Sequence, residues 1–166
     1  IEGLSALADH TANIRAELEQ VLVRPEGHER VFLDAATEAE NLKGTRGAPR
    51  WNGFYFYRHG VRHEDNARAC PRTAAALDAQ PLLARVPGHA PETLFSVFAP
   101  GTHLLKHRGV TNTRLVAHLP LIVPPDCALS VAGEAHHWRE GELVAFDDTY
   151  EHEAWNRSDQ TRVVLI

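Results

Sequence analysis

The chain predicts a mainly β domain, a small sandwich or barrel with helices near its N-terminus packed on one sheet. Two patterns and the chain length carry that expectation. From about residue 91 onward, short runs rich in Val, Leu, Ile and Phe alternate with Gly, Pro and Asp. Evenly spaced short strands separated by turn signals make sandwiches and barrels. Upstream, two stretches carry helical signals. A chain of 166 residues buries one sizeable core and is too short for two ordinary domains. The expected organisation is therefore one domain over 1–166, with a helical part over about 1–90 and a site-bearing β core over about 91–166.

From the N-terminus, Leu4, Leu7, Ile14, Leu18, Val21 and Leu22 recur at three- and four-residue steps until Pro25 and Gly27, which predicts an amphipathic helix over Leu4 to Arg24. VFLDA reads as a short strand and LKGTRGAPR as a loop. WNGFYFY, from Trp51 to Tyr57, has the aromatic density of a half-buried strand and turns at Gly60. NARACPRTAAAL predicts a second helix over Asn66 to Leu77, with Pro71 near its start. Pro81, Pro87, Gly88 and Pro91 mark a loop, after which TLFSVFA, TRLVAHLPLIV, CALSVA, HHWR, ELVAFDD, HEAWN and RVVLI read as strands.

Composition limits the partners. Seventeen Lys and Arg stand against 22 Asp and Glu, a net charge of −5, so there is no basic field for nucleic acid. A small-molecule, amino-acid or peptide substrate is expected instead. No run approaches the roughly eighteen apolar residues of a membrane span, and the start lacks a signal-peptide pattern. Cys70 and Cys127, without any CxxC spacing, indicate neither a zinc knuckle nor a disulfide framework. A reducing, cytoplasmic location is the expectation. The chain opens without Met and stops inside RVVLI, so both ends are expected to be trimmed.

The chain has eleven histidines. His10, His28, His63, His89, His136 and His137 lie in helix, loop or hairpin surroundings and are read as surface residues. The run Arg58-His59-Gly60-Val61-Arg62 resembles the RHGxR signature of histidine phosphatases, but it lacks the usual following proline, and the chain lacks their α/β alternation. A turn with solvated basic side chains is the better reading. His107 follows a strand and the Pro100-Gly101 turn, and His152 follows ELVAF. Their separation suits a site closed by non-neighbouring strands, and there is no HExxH. Imidazole and oxygen ligands admit Fe, Mn, Ni, Cu or Zn. Arg162 opens the last strand ten positions after His152, and a guanidinium suits bidentate anchoring of a carboxylate.

SVFAPGTHLLKHRGVTNTRLVAHLPLIVPPDC and WREGELVAFDDTYEHEAWNRSDQTRVVLI resemble the aspartyl/asparaginyl β-hydroxylase family of 2-oxoglutarate- and Fe(II)-dependent oxygenases. PGTH, H-x-G-x-TN, FDD-x-x-x-H and the terminal Arg occur in register, and Trp51, Phe54, Gly60, Arg62, Asn66, Ala67, Cys70 and Pro71 follow the family's order upstream. The resemblance implies a double-stranded β-helix, a cupin-like jelly roll. It implies Fe(II), 2-oxoglutarate and O2 as cofactor and cosubstrates, with hydroxylation of an unactivated carbon coupled to decarboxylation of 2-oxoglutarate to succinate and CO2.

Carried over by position, His107 and His152 would be the iron ligands. Gly109 stands where many related oxygenases place a ligating carboxylate, and Asp148 would steady a water there. Arg162 and Ser96 match the residues that bind the distal carboxylate of 2-oxoglutarate, and His118 the one that contacts its metal-proximal carboxylate. Arg114 and Arg62 are the cationic candidates for substrate. Where members that act on Asp or Asn carry basic residues, this chain has Leu94 and Val116, which points to a less acidic amino-acid derivative, a peptide or an acyl chain. The alternatives are an iron-dependent halogenase, with chloride at the position opened by glycine, and a non-catalytic cupin-like metal-binding module.

Overall fold

The structure, a computed structural model describing residues 3–166, breaks the expected first helix in two, α1 (Ser5–Ala8) and α2 (Thr11–Leu22). The break falls at Asp9 and His10, where the Thr11 hydroxyl turns back to donate to the Ala8 carbonyl at 2.5 Å. Ile14, Leu18 and Val21 lie on one side of α2 and are 0, 0 and 3% exposed. Truncating Leu18 to Ala would cost about 2–5 kcal/mol.

After β1 (His28–Arg30), the VFLDA run forms bends rather than the expected strand. Its Asp34 side chain instead accepts from the Thr37 amide at 2.8 Å and caps α3 (Ala35–Asn41). LKG, expected in a loop, forms the short strand β2 (Leu42–Gly44).

β3 (Trp51–Arg58) and β4 (Val61–Arg62) make a hairpin whose two turn residues, His59 and Gly60, both have positive φ. The RHGVR run is this turn. Arg58 pairs with Glu29 at 2.8 Å, and Arg62 with Glu64 and Asp78.

The second expected helix is also two, α4 (Glu64–Ala69) and α5 (Pro71–Asp78). Cys70 precedes Pro71, is forced out of the α region to φ −129, ψ 66, and so interrupts the helix. The buried Glu17 carboxylate ties α2 to the start of α5. It accepts from the Arg72 and Thr73 amides at 2.8 Å each and from the Thr73 hydroxyl at 2.7 Å.

The remaining strands are β5 (Thr93–Phe98), β6 (Thr102–His107), β7 (Val116–Ile122), β8 (Cys127–Val131), β9 (Glu134–His136), β10 (Val144–Phe146), β11 (His152–Asn156) and β12 (Arg162–Leu165). β9 ends before HHWR is complete, and Trp138 leaves the ladder to bury its ring. One sheet has the order β1-β3-β5-β12-β7-β10 with β4 beside β3, and the other β2-β6-β11-β8-β9. All pairings are antiparallel. Apart from the β8–β9 hairpin, the chain from β5 onward alternates between the sheets, which is the winding of a double-stranded β-helix. The fold is a mainly β, cupin-like jelly roll. Because β3 pairs with β5, the larger sheet runs across the division expected near residue 90.

The pleat sends alternate residues of each strand to two cores. Val163 and Leu165 of β12 pack with Phe95 and Leu119 beneath α2 and α5, on the outer face of the larger sheet. Val164 packs with Phe98, Leu104 and Leu129 between the sheets. Arg162 shares Val164's face and is therefore carried into the barrel, where the candidate site lies.

Candidate active site

His107 ends β6, and His152 opens β11 directly opposite it in the ladder. Sequence reading put His107 beyond a strand; in fact THLLKH is itself the strand. The two imidazoles sit with centroids 4.1 Å apart. Each Nδ1 lies beside a backbone carbonyl two residues upstream, Leu105 at 2.8 Å for His107 and Tyr150 at 2.9 Å for His152. A carbonyl only accepts, so Nδ1 is the donor in both rings and Nε2 is the nitrogen left for a ligand. Burial holds His107 below the usual imidazole range, which favours the neutral, ligating form. Among the described residues no three His, Cys, Asp or Glu side chains converge as a metal cluster, so the pair offers a cation two nitrogens and an open set of further positions.

Gly109 lies two residues beyond His107. Its amide donates to the Asp148 carbonyl at 2.7 Å, and a Cβ built on it would fall on the Asp148 carboxylate. Arg108 donates to the Thr149 carbonyl at 3.1 Å and completes the join between the two loops. Asp148 is 6% exposed, and its Oδ1 has no hydrogen-bond partner among the described residues. The space that a ligating side chain would need at position 109 therefore belongs to a carboxylate that reaches in from the other loop.

Arg162 is 2% exposed and has no carboxylate partner among the described residues. Its guanidinium lies 3.7 Å over Phe98 and 5.0 Å from the Trp138 ring, and burial pulls its pKa down to about 9, so it remains charged at neutral pH. It donates weakly to the Ser96 carbonyl and hydroxyl at 3.3 and 3.4 Å, while its Nε is unpartnered among the described residues. Trp51 Nε1 also donates to Ser96 Oγ, at 2.9 Å. With two N–H groups directed at that oxygen, the Ser96 hydroxyl hydrogen is free to meet an acceptor. His118 is 7% exposed with Nδ1 unpartnered among the described residues, and burial, with Arg162 and His152 nearby, pushes it down to about 3. It is a neutral imidazole that can exchange hydrogen bonds with a ligand.

All six of these side chains line one cavity of about 210 Å³ inside the barrel: His107, His118, His152, Asp148, Ser96 and Arg162. The family model for aspartyl/asparaginyl β-hydroxylases matches residues 8–166. The chain belongs to this family.

Among its relatives, an ornithine lipid ester-linked acyl 2-hydroxylase of Rhizobium tropici is 43% identical over 156 residues, covering 92% of this chain and 52% of that protein. The human aspartyl/asparaginyl β-hydroxylase is 34% identical over 130 residues, covering 78% of this chain and 16% of that protein. The chain thus spans about half of the first relative and less of the second. A Pseudomonas putida prolyl-4-hydroxylase structure aligns over 98% of this chain and 95% of its own, at 17% identity and a TM-score of 0.49.

Leu94 and Val116, which stand where members acting on Asp or Asn carry basic residues, line the cavity and make part of its wall aliphatic. Arg62 does not reach it; its hairpin holds it on Glu64 and Asp78. Arg114 lies in the wall of a neighbouring cleft. His28 and His63, read as surface residues, are half-buried, with His28 against Phe54 and bonded to the Val21 carbonyl at 3.1 Å. Phe98 and Trp138, which enclose Arg162, escaped notice because an aromatic residue in or beside a strand is ordinarily core. Among the described residues no helix is long and apolar enough to cross a membrane.

Proposed function

We propose that this protein is an Fe(II)- and 2-oxoglutarate-dependent hydroxylase that acts on an aliphatic carbon of an acyl-bearing or amino-acid-derived small molecule. The observation that carries it is the pairing, in one cavity, of two imidazoles whose Nδ1 atoms are taken up by backbone carbonyls, leaving Nε2 to meet a metal, with a buried guanidinium that has no carboxylate partner among the described residues. A buried unpaired cation is costly, so the site is built for a ligand that brings a carboxylate. A dicarboxylate whose other end chelates a metal meets both demands.

In this reading His107 and His152 would hold the iron through Nε2. Arg162 and the Ser96 hydroxyl would bind the distal carboxylate of 2-oxoglutarate, and His118 the carboxylate next to the metal. Asp148 would accept a hydrogen bond from a water at the position that Gly109 leaves to it. Bound iron and 2-oxoglutarate together supply activation of O2, with 2-oxoglutarate leaving as succinate and CO2. The residues contribute binding, orientation and an apolar wall. A halide beside the Asp148 carboxylate would meet like charge, which supports hydroxylation over halogenation.

The aliphatic Leu94 and Val116 favour an uncharged carbon chain over an acidic side chain. The Rhizobium tropici relative, named as an acyl 2-hydroxylase, supports the same direction. The test is proton NMR of the protein with Fe(II), 2-oxoglutarate and air. Succinate is expected to accumulate with wild type and not with His107→Ala; equal, background-level succinate from both would overturn the assignment.

A further inference from the structure

On the outer face of the larger sheet, under the N-terminal helices, lies a second cavity of about 450 Å³. Its walls are aliphatic, including Leu7, Leu77, Leu83, Leu119, Leu143 and Leu165. It adjoins the histidine cavity at the barrel rim, where Glu92, Val116 and Ile166 belong to both walls. Leu82 and Leu115, also in its wall, remain 52 and 57% exposed, an unusual state for two large aliphatic side chains at one opening.

The walls are not purely apolar. Thr93 Oγ1, Gln80 Oε1 and Arg114 Nε are buried there without hydrogen-bond partners among the described residues, and Thr93 is only 3% exposed. Thr93 and Arg114 are donors, so they call for an acceptor oxygen. An occupant that is mostly hydrocarbon and carries a carbonyl suits the aliphatic wall and these two donors.

We propose that this cleft binds the aliphatic chain of a long-chain acyl ester or amide, which passes over the Val116–Ile166 rim so that a carbon of the same molecule lies in the histidine cavity. The assignment rests on the hydroxylase reading above for what happens at that carbon, while the binding itself needs no turnover. Val116 lies where the two cavities meet and lines both. It is the natural point for chain length to be sensed.

The experiment is anaerobic calorimetry of the Fe(II)- and 2-oxoglutarate-supplemented protein with N-acylglycines from butanoyl to dodecanoyl. Affinity should rise roughly threefold to fourfold per methylene until the cleft is filled. Ala145→Phe, which adds bulk to the cleft wall, should flatten the series. Leu115→Asp, at an exposed position that leaves folding intact, should weaken the longest chains most. His107→Ala should keep the chain-length dependence even though it abolishes succinate formation, so that failure of the cleft and failure of the hydroxylase reading are told apart. An affinity independent of chain length, or an unaltered series in both cleft variants, would overturn the proposal. So would a flat series together with a concentration-dependent dimer that Leu115→Asp dissociates, which would give the face to a second copy of the chain.

Discussion

Gly109 and Asp148 occupy one space between them: the glycine amide holds the Asp148 carbonyl at 2.7 Å, and any Cβ at 109 would collide with the Asp148 carboxylate. A third protein ligand on residue 109 is therefore incompatible with Asp148 where it stands. Gly109→Ala should act as a displaced-Asp148 variant, and Asp148→Ala should share its phenotype although residue 148 touches no metal in the proposed arrangement. Both should lower hydroxylated product relative to succinate, by severalfold or more, in parallel mass-spectrometric and NMR assays. Wild-type coupling in Asp148→Ala would remove its role. Gly109→Asp requires Asp148 to move and should not simply restore a three-ligand site.

Arg162 gives a prediction of opposite sign for stability and for binding. A guanidinium buried without an anion destabilises the ligand-free protein, so Arg162→Met should melt no lower than wild type in the absence of 2-oxoglutarate. The same change should weaken 2-oxoglutarate by about 3–5 kcal/mol, the range for losing one partner of a buried charge pair. Thermal scans with and without 2-oxoglutarate read both effects. A ligand-induced rise in Tm that survives in Arg162→Met would place the dicarboxylate elsewhere.

Trp51→Phe isolates the support behind Ser96. It keeps an aromatic ring against Phe98 while removing the indole N–H that donates to Ser96 Oγ at 2.9 Å. About 1 kcal/mol of 2-oxoglutarate affinity should be lost, with kcat less affected than KM. An unchanged KM for 2-oxoglutarate would mean that Ser96 orients itself.

These residues also mark how far the sequence could be read. Most barrel strands after residue 91 announce themselves as short apolar runs between turn residues, and His107, His152 and Arg162 stand at strand ends, where a motif keeps its spacing; β6 did not, because THLLKH mixes polar and apolar residues, and β9, fully exposed, only overlaps the expected HHWR. The α3 segment did not, since AATEAEN buries nothing and its helix depends on the Asp34 cap. Nor did β2, three residues whose strand character comes from pairing with β6, a tertiary event. The split at Cys70 was legible in principle, because a residue before proline resists the α conformation. The Trp51, Phe98 and Trp138 surroundings of Arg162 were not, because they depend on which faces of distant strands meet.

The two cysteines provide a pH test away from the site. Burial pushes Cys70 up to about 12 and Cys127 up to about 11, against about 8.5 for an unfolded thiol. The folded protein keeps protons that the unfolded chain releases, so this contribution is fully present below about pH 8.5 and is lost as pH rises toward the folded values. Urea midpoints should fall more steeply between pH 8 and 10 in wild type than in Cys70→Ala. Iodoacetamide at pH 8 should label neither thiol until the protein unfolds; rapid labelling of native Cys70 would contradict its burial.

The most direct measurement is an anaerobic titration of the Fe(II)-loaded protein with 2-oxoglutarate, followed by the visible charge-transfer absorption of a chelated 2-oxo acid. The account predicts one band per protein that saturates at one equivalent of iron, is absent from His107→Ala and His152→Ala, and needs far more 2-oxoglutarate in Arg162→Met. No band in wild type with stoichiometric iron bound, or an undiminished band in either histidine variant, would contradict it.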